Sequence, residues 1–179
     1  MDFISTPFNG LLILKYNVHR DERGFFVELF NENNFKSKVF DVCFKQDNLS
    51  ESGYGTLRGM HFQKDPYAQG KLVTVLEGKV FDAVVDLRLG EPTFGQYFSY
   101  VLDANNHEAL YVPPGFAHGF CVLSEKAKFF YKCTEVFHPE SKQNLFWNDP
   151  DVGIEWPSDF VPTQISQEDQ NAPSFKDLF

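Results

Sequence analysis

Two histidines, a tyrosine and a lysine stand where this sequence could move protons. His61 lies in Leu57-Arg58-Gly59-Met60-His61-Phe62-Gln63, where a basic residue and a glycine precede a histidine at the start of a β-segment. An imidazole with an ordinary pKa of ~6.5 suits proton transfer, although a hydrogen-bonded core histidine fits the same context. His118 poses the same choice in Pro113-Pro114-Gly115-Phe116-Ala117-His118-Gly119-Phe120, where a Pro and Gly turn feeds a strand. Tyr131, in Phe129-Phe130-Tyr131-Lys132-Cys133, could donate a proton or simply pack with its hydroxyl tied to a neighbour. Lys71, in Gln69-Gly70-Lys71-Leu72-Val73, could stabilise an oxyanion or serve as a strand-edge gatekeeper.

The elements that must hold these residues read as strands. Aromatic residues make up 17% of the chain, with 21 Phe against 2 Met, and flat rings favour a pleated, half-buried surface. Strands are expected at Gly24 to Phe30, Leu72 to Leu76, Val80 to Leu87, Gln96 to Leu102, Ala109 to Val112, Gly119 to Leu123 and Lys128 to Thr134, with Glu77-Gly78 turning between the second and third. In the third, Phe81, Ala83, Val85 and Leu87 form an apolar face and alternate with Val80, Asp82, Val84 and Asp86. A barrel with a partly polar lumen accounts for the two carboxylates. Helical signal is confined to Asn31 to Val39 and a tail from Ser166 that Pro173 interrupts. No repeat or linker divides the chain, so residues 1–179 read as one all-β domain with one site.

A formal charge of −9 argues against nucleic acid and anionic membrane as partners, so an anionic ligand must be caught by a few local cations. The segment MDFISTPFNGLLILKY has no basic leader and only four consecutive apolar residues at Leu11 to Leu14, which points to a cytoplasmic protein with no membrane span. Cys43, Cys121 and Cys133 share no short spacing and suit reduced thiols. Without a secretory signal, Asn48-Leu49-Ser50 is a chance match to a glycosylation acceptor.

The Pro113-x-Gly115-x-x-His118 spacing resembles the second motif of cupins, in which the histidine points into the barrel and often binds metal. Metal-binding cupins supply a His-x-His pair and a following Glu in their first motif. This chain offers His61-Phe62-Gln63 there, one histidine short of a ligand set, so no metal is expected.

Taken in order, the motifs resemble those of the dTDP-4-dehydrorhamnose 3,5-epimerase family over nearly the whole chain. They are Asp21-x-Arg23-Gly24-x-Phe26-x-Glu28, Gln46-Asp47-Asn48-Leu49-Ser50, Leu57 to Gln63, Gly70-Lys71-Leu72-Val73, Gly78 to Asp82, Asp86-Leu87-Arg88, Pro92 to Gly95, Pro113 to Phe120, Tyr131-Lys132 and Trp147 to Pro150. The resemblance implies a cupin-type double-stranded β-helix, or jelly-roll barrel, with short peripheral helices. It also implies a homodimer with exchanged amino-terminal strands, and no organic cofactor. The implied substrate is a nucleotide-diphosphate 4-keto sugar, epimerised at carbon 3, carbon 5 or both on the way to a cell-surface polysaccharide. Carried over by position, His61 is the base with Asp169 as its carboxylate partner, Tyr131 the acid on the opposite face, and Lys71 the enolate stabiliser. Arg23, Glu28, Gln46, Asn48, Arg58 and His118 match substrate-binding positions, Arg23 and Glu28 reaching into the partner's site, and Phe137 falls where a ring stacks on the base.

Two positions depart from the family pattern. Glu168 stands where a lysine usually precedes the partner aspartate, and Lys142 stands near a position usually acidic. Either the swap alters the nucleotide or sugar, which admits GDP-linked 4-keto sugars beside the dTDP-linked ones, or the two residues meet each other and specificity is unchanged. Two other classes compete with an epimerase: a non-catalytic sugar-nucleotide-binding cupin and a metal-dependent cupin oxygenase. The intact His61, Tyr131, Lys71 and Asp169 set speaks for the enzyme.

Overall fold

The computed structural model describes residues 1–39 and 42–179. Its strands are β1 (Asp2–Ser5), β2 (Leu12–Lys15), β3 (Val18–Asp21), β4 (Gly24–Val27), β5 (Gln46–Gly53), β6 (Leu57–Gln63), β7 (Lys71–Glu77), β8 (Lys79–Asp86), β9 (Tyr97–Asp103), β10 (Glu108–Val112), β11 (Phe116–Val122), β12 (Lys126–Cys133) and β13 (Lys142–Asn144). One sheet runs β1-β2-β10-β7-β12-β5, a second runs β13-β6-β11-β8-β9, and β3 and β4 form a separate ribbon. The paired strands are antiparallel throughout. Val73, Val75, Leu110 and Phe129 of the first sheet pack against Val80, Val84, Leu102, Phe116 and Phe120 of the second, so the core lies between the sheets of a jelly roll, as the resemblance implies.

The Glu77-Gly78 turn carries the chain from one sheet to the other. Gly78 has φ +81°, and a Cβ there would come within 2.0 Å of the Lys126 carbonyl oxygen, so only glycine fits this corner. Along β8, Val80 and Val84 belong to the inner core while Ala83, Val85 and the following Leu87 face outward. That outer face is also buried, against Val152 and Ile154 of the carboxy-terminal segment. The alternation therefore separates two apolar layers, with Asp82 on the interior side.

Strand β4 stops at Val27, whereas a strand to Phe30 was expected. Leu29 and Phe30 turn away to pack around Phe35 of α1 (Glu32–Lys36), and Asn31 caps that helix by accepting a hydrogen bond from the Asn34 amide. The tail carries α2 (Gln167–Gln170), capped by Ser166, and α3 (Phe175–Leu178) beyond Pro173. Strand β5 carries no strand signal in the sequence, because Gln46, Asn48, Ser50 and Ser52 alternate with Asp47, Leu49 and Glu51, which leaves no apolar face. Among the described residues no helix is long and apolar enough to cross a membrane.

Candidate active site

Strand registers place the reactive side chains. In the first sheet Gln46, Cys133 and Lys71 stand side by side on β5, β12 and β7, and Asn48, Tyr131 and Val73 form the next row. A further step brings Ser50, Phe129 and Val75 into line, and the interior becomes hydrophobic core. In the second sheet Asn144, His61, His118 and Val84 align across β13, β6, β11 and β8. His61 and Tyr131 therefore enter from opposite sheets.

Regular alternation along β6 would put Arg58 and His61 on opposite faces. The β6–β11 register shifts between His118 and Phe120, and this irregularity lets both residues face the interior while Met60 packs outward beneath Leu145. Gly59 lies at the shift with φ +135°, and a Cβ there would meet Gly119 Cα at 2.5 Å. The close approach of the two strands thus depends on a pair of glycines.

Gln46, Asn48, His61, Lys71, Tyr131, Cys133 and Phe137 share a cavity of about 320 Å³. It adjoins a smaller one of about 180 Å³ lined by Arg58, His118, Phe120 and Phe129, with His61, Lys71 and Tyr131 common to both. His61 Nε2 lies 2.7 Å from Asp169 Oδ1. The buried Asp169 also accepts from the Gly59 amide at 3.3 Å and from Asn144 Nδ2 at 3.4 Å. Burial opposes its charge, but the hydrogen bonds from His61 and Gly59 prevail and hold the carboxyl below the usual range. An ionised acceptor at Nε2 fixes the proton there and leaves Nδ1 free to take another.

Burial pushes the Tyr131 phenol up, with Cys133 adding to the effect and Arg58 opposing it, so the hydroxyl stays protonated. Lys71 is half-buried and, among the described residues, has no carboxylate within ion-pair distance. Burial lowers its pKa, against the pull of Cys133 and Asp82. His118 Nε2 sits 2.9 Å from Oδ2 of the fully buried Asp82, and burial holds this imidazole below its ordinary value despite that partner. A cupin metal finds no fitting donor set: both histidines are engaged by carboxylates through Nε2, and no group of three or more His, Cys, Asp or Glu among the described residues could hold an ion.

Arg23 and Glu28 are not brought to this cleft. Arg23 is exposed at the β3–β4 turn and pairs with Asp21, and Glu28 accepts from Asn31 Nδ2 at 3.2 Å. The charge-reversed residues do meet, as a Lys142–Glu168 ion pair. Sequence reasoning assigned no role to Gln63, Asn144 or Asp82. Gln63 accepts from the His138 amide at 2.7 Å and donates to the Tyr67 carbonyl at 2.7 Å, while Gln46 Oε1 accepts from the Phe137 amide at 2.7 Å. These amides pin the loop that presents Phe137. Position i+2 from His61 signals Gln63, and the interior face of β8 signals Asp82, whereas Asn144 carries no local sign.

Residues 5–177 match the sequence profile of the dTDP-4-dehydrorhamnose 3,5-epimerase family. A relative so named from Neisseria gonorrhoeae is 48% identical over 90% of this chain, which spans about half (49%) of that protein's length. The crystal structure of the dTDP-4-dehydrorhamnose 3,5-epimerase from Elizabethkingia anophelis superposes with a TM-score of 0.94 at 46% identity, covering 99% of this chain and 97% of that one. The Legionella pneumophila dTDP-6-deoxy-D-glucose-3,5-epimerase, solved in complex with dTDP-4-keto-L-rhamnose, gives 0.90 at 44% identity, covering 96% and 90%. A cleft between jelly-roll sheets and a sequence match over almost every residue agree: the chain belongs to the dTDP-4-dehydrorhamnose 3,5-epimerase family.

Proposed function

We propose that this protein epimerises carbons 3 and 5 of a dTDP-linked 4-keto-6-deoxy sugar through an enolate. The observation that carries the reading is the disposition of His61 on one sheet, backed by Asp169 of α2, against Tyr131 on the other sheet, with Lys71 beside them. Carbons 3 and 5 flank the ketone, so their protons are acidified by delocalisation onto its oxygen. His61 Nδ1 takes such a proton, and the bonding pair moves into an enolate whose negative oxygen is stabilised by the Lys71 ammonium. Tyr131 returns a proton to carbon from the other face, and exchange with solvent resets both residues.

Arg58 is a suitable fork for diphosphate oxygens, and Phe137 an exposed ring for the base at the outer end of the cavity. Gln46, Asn48 and His118 hold the sugar and nucleotide between them. The ligand named for the Legionella structure favours dTDP over GDP, and the Lys142–Glu168 pairing leaves little net charge change to alter that choice. We further assign residues 1–179 to one epimerase domain working as a cytoplasmic homodimer in the synthesis of a cell-surface polysaccharide sugar. The exposed Arg23 and Glu28 then serve the partner's cleft, and the three free thiols suit a reducing compartment.

The test is deuterium incorporation from heavy water into dTDP- and GDP-linked 4-keto sugars. Label at carbons 3 and 5 of the dTDP-4-keto-6-deoxyhexose is expected. Binding of the whole panel without label would support a non-catalytic binding protein instead.

A further inference from the structure

The side of the cleft nearest α2 carries charge that the proposed chemistry leaves unused. Lys142 begins β13, opposite Gln63 of β6. Its side chain lines the cavity that holds Lys71 and Phe137, and also the adjoining cavity of about 440 Å³ that runs past Arg58 and His61 to Glu168. Lys142 is thus common to the two spaces that an extended anionic ligand would cross. Its counter-ion is unevenly placed, since the Glu168 side chain is 59% exposed against 27% for Lys142. An ion pair with one partner in solvent is weakly held and open to exchange.

The pair is not needed to secure α2. Asp169 of that helix is already held by His61 and the Gly59 amide, Ser166 caps its first turn, and the Leu57 amide donates to the Gln164 carbonyl just before it. We infer that Lys142 is a diphosphate-binding residue that exchanges Glu168 for the substrate's phosphate oxygens, and that Glu168 is the anion the substrate must displace. This rests on the epimerase reading of the same cleft. Substitutions at the two positions then act in opposite directions. Loss of the lysine leaves Glu168 unopposed beside an incoming dianion, whereas loss of the glutamate frees Lys142.

The experiment compares wild type, Lys142→Gln, Lys142→Arg and Glu168→Gln, by turnover of the dTDP-4-keto-6-deoxyhexose and by calorimetric titration with dTDP. Lys142→Gln is expected to raise KM and the dTDP Kd by about ten- to a hundredfold, as for a lost charge-assisted hydrogen bond, with kcat nearly retained. Lys142→Arg keeps most of the affinity, and Glu168→Gln lowers both constants. Normal wild-type turnover with KM unchanged in Lys142→Gln overturns the assignment. So does a fall in kcat, with KM unmoved, common to Lys142→Gln and Glu168→Gln, which would mark the pair as a latch on α2. A wild type that neither turns over nor binds dTDP defeats the epimerase reading itself.

Discussion

His61 and Tyr131 share one proton transfer between two faces of a sugar, so their removal has different consequences in the proposed reaction. Tyr131→Phe leaves the base and Lys71 in place. It should still wash deuterium into the substrate while inversion falls by about 10²–10⁴-fold. His61→Asn should lose exchange and inversion together, and NMR of the recovered sugar separates the two patterns. Asp169→Asn removes the acceptor that keeps a proton on Nε2, and its amide can instead favour the tautomer protonated on Nδ1, which cannot serve as base. A loss of roughly 10²–10⁴-fold in kcat is expected, with the fold intact. In the proposed reaction the alkaline limb of the rate profile is expected to follow Lys71, whose pKa burial lowers, whereas burial raises that of Tyr131. Lys71→Arg, charged at every working pH, should shift that limb upward in kcat/KM, whatever it costs in absolute rate.

The cleft depends on how β6 meets β11. Gly59→Ala combines a positive φ with a Cβ aimed at Gly119 Cα, so it should destabilise the protein by about 2–4 kcal/mol in urea unfolding. It should also reduce activity beyond what stability explains, since Arg58 and His61 share the interior only through that irregularity. Strand β5 teaches the complementary lesson. One of its faces lines a polar cleft and the other meets solvent at Asp47, Leu49 and Glu51, so the site itself removed the hydrophobic alternation that identifies strands elsewhere. Strand β10 is buried along its whole length and was legible from Ala109 to Val112 as a continuous apolar run.

At the scale of the molecule, Arg23 and Glu28 are the two residues expected at the site that lie away from the cleft, Arg23 paired with Asp21 and Glu28 with Asn31. The ribbon bearing Arg23 also exposes Phe25 and Phe26, and Leu76 is exposed beside it on the outer side of the first sheet. If Arg23 serves a partner's cleft, a dimer formed from His61→Asn and Arg23→Ala chains contains one site with both lesions and one with neither. Mixing the two variants under conditions of subunit exchange should therefore restore part of the activity that each lacks. Additive residual rates from the mixture would return Arg23 to a role within its own chain. The negative net charge does not prevent capture of a dianionic substrate, because Lys71, Arg58 and Lys142 all line the cleft.

The sequence by itself determined the β-rich class, the seven recognisable strands in outline, the chemically competent residues and, through the order of its motifs, the family. Those properties depend on neighbours close along the chain or on motif order, so alternation, turns and residue types suffice to read them. Tertiary structure decided which residues meet. Asp169 reaches His61 from 108 positions away, Asp82 of β8 finds His118 on the neighbouring strand β11, and Lys142 pairs with Glu168 beside the cleft. Such contacts depend on strand register and on the irregularity at Gly59, where one residue more or less reverses the face on which a side chain stands.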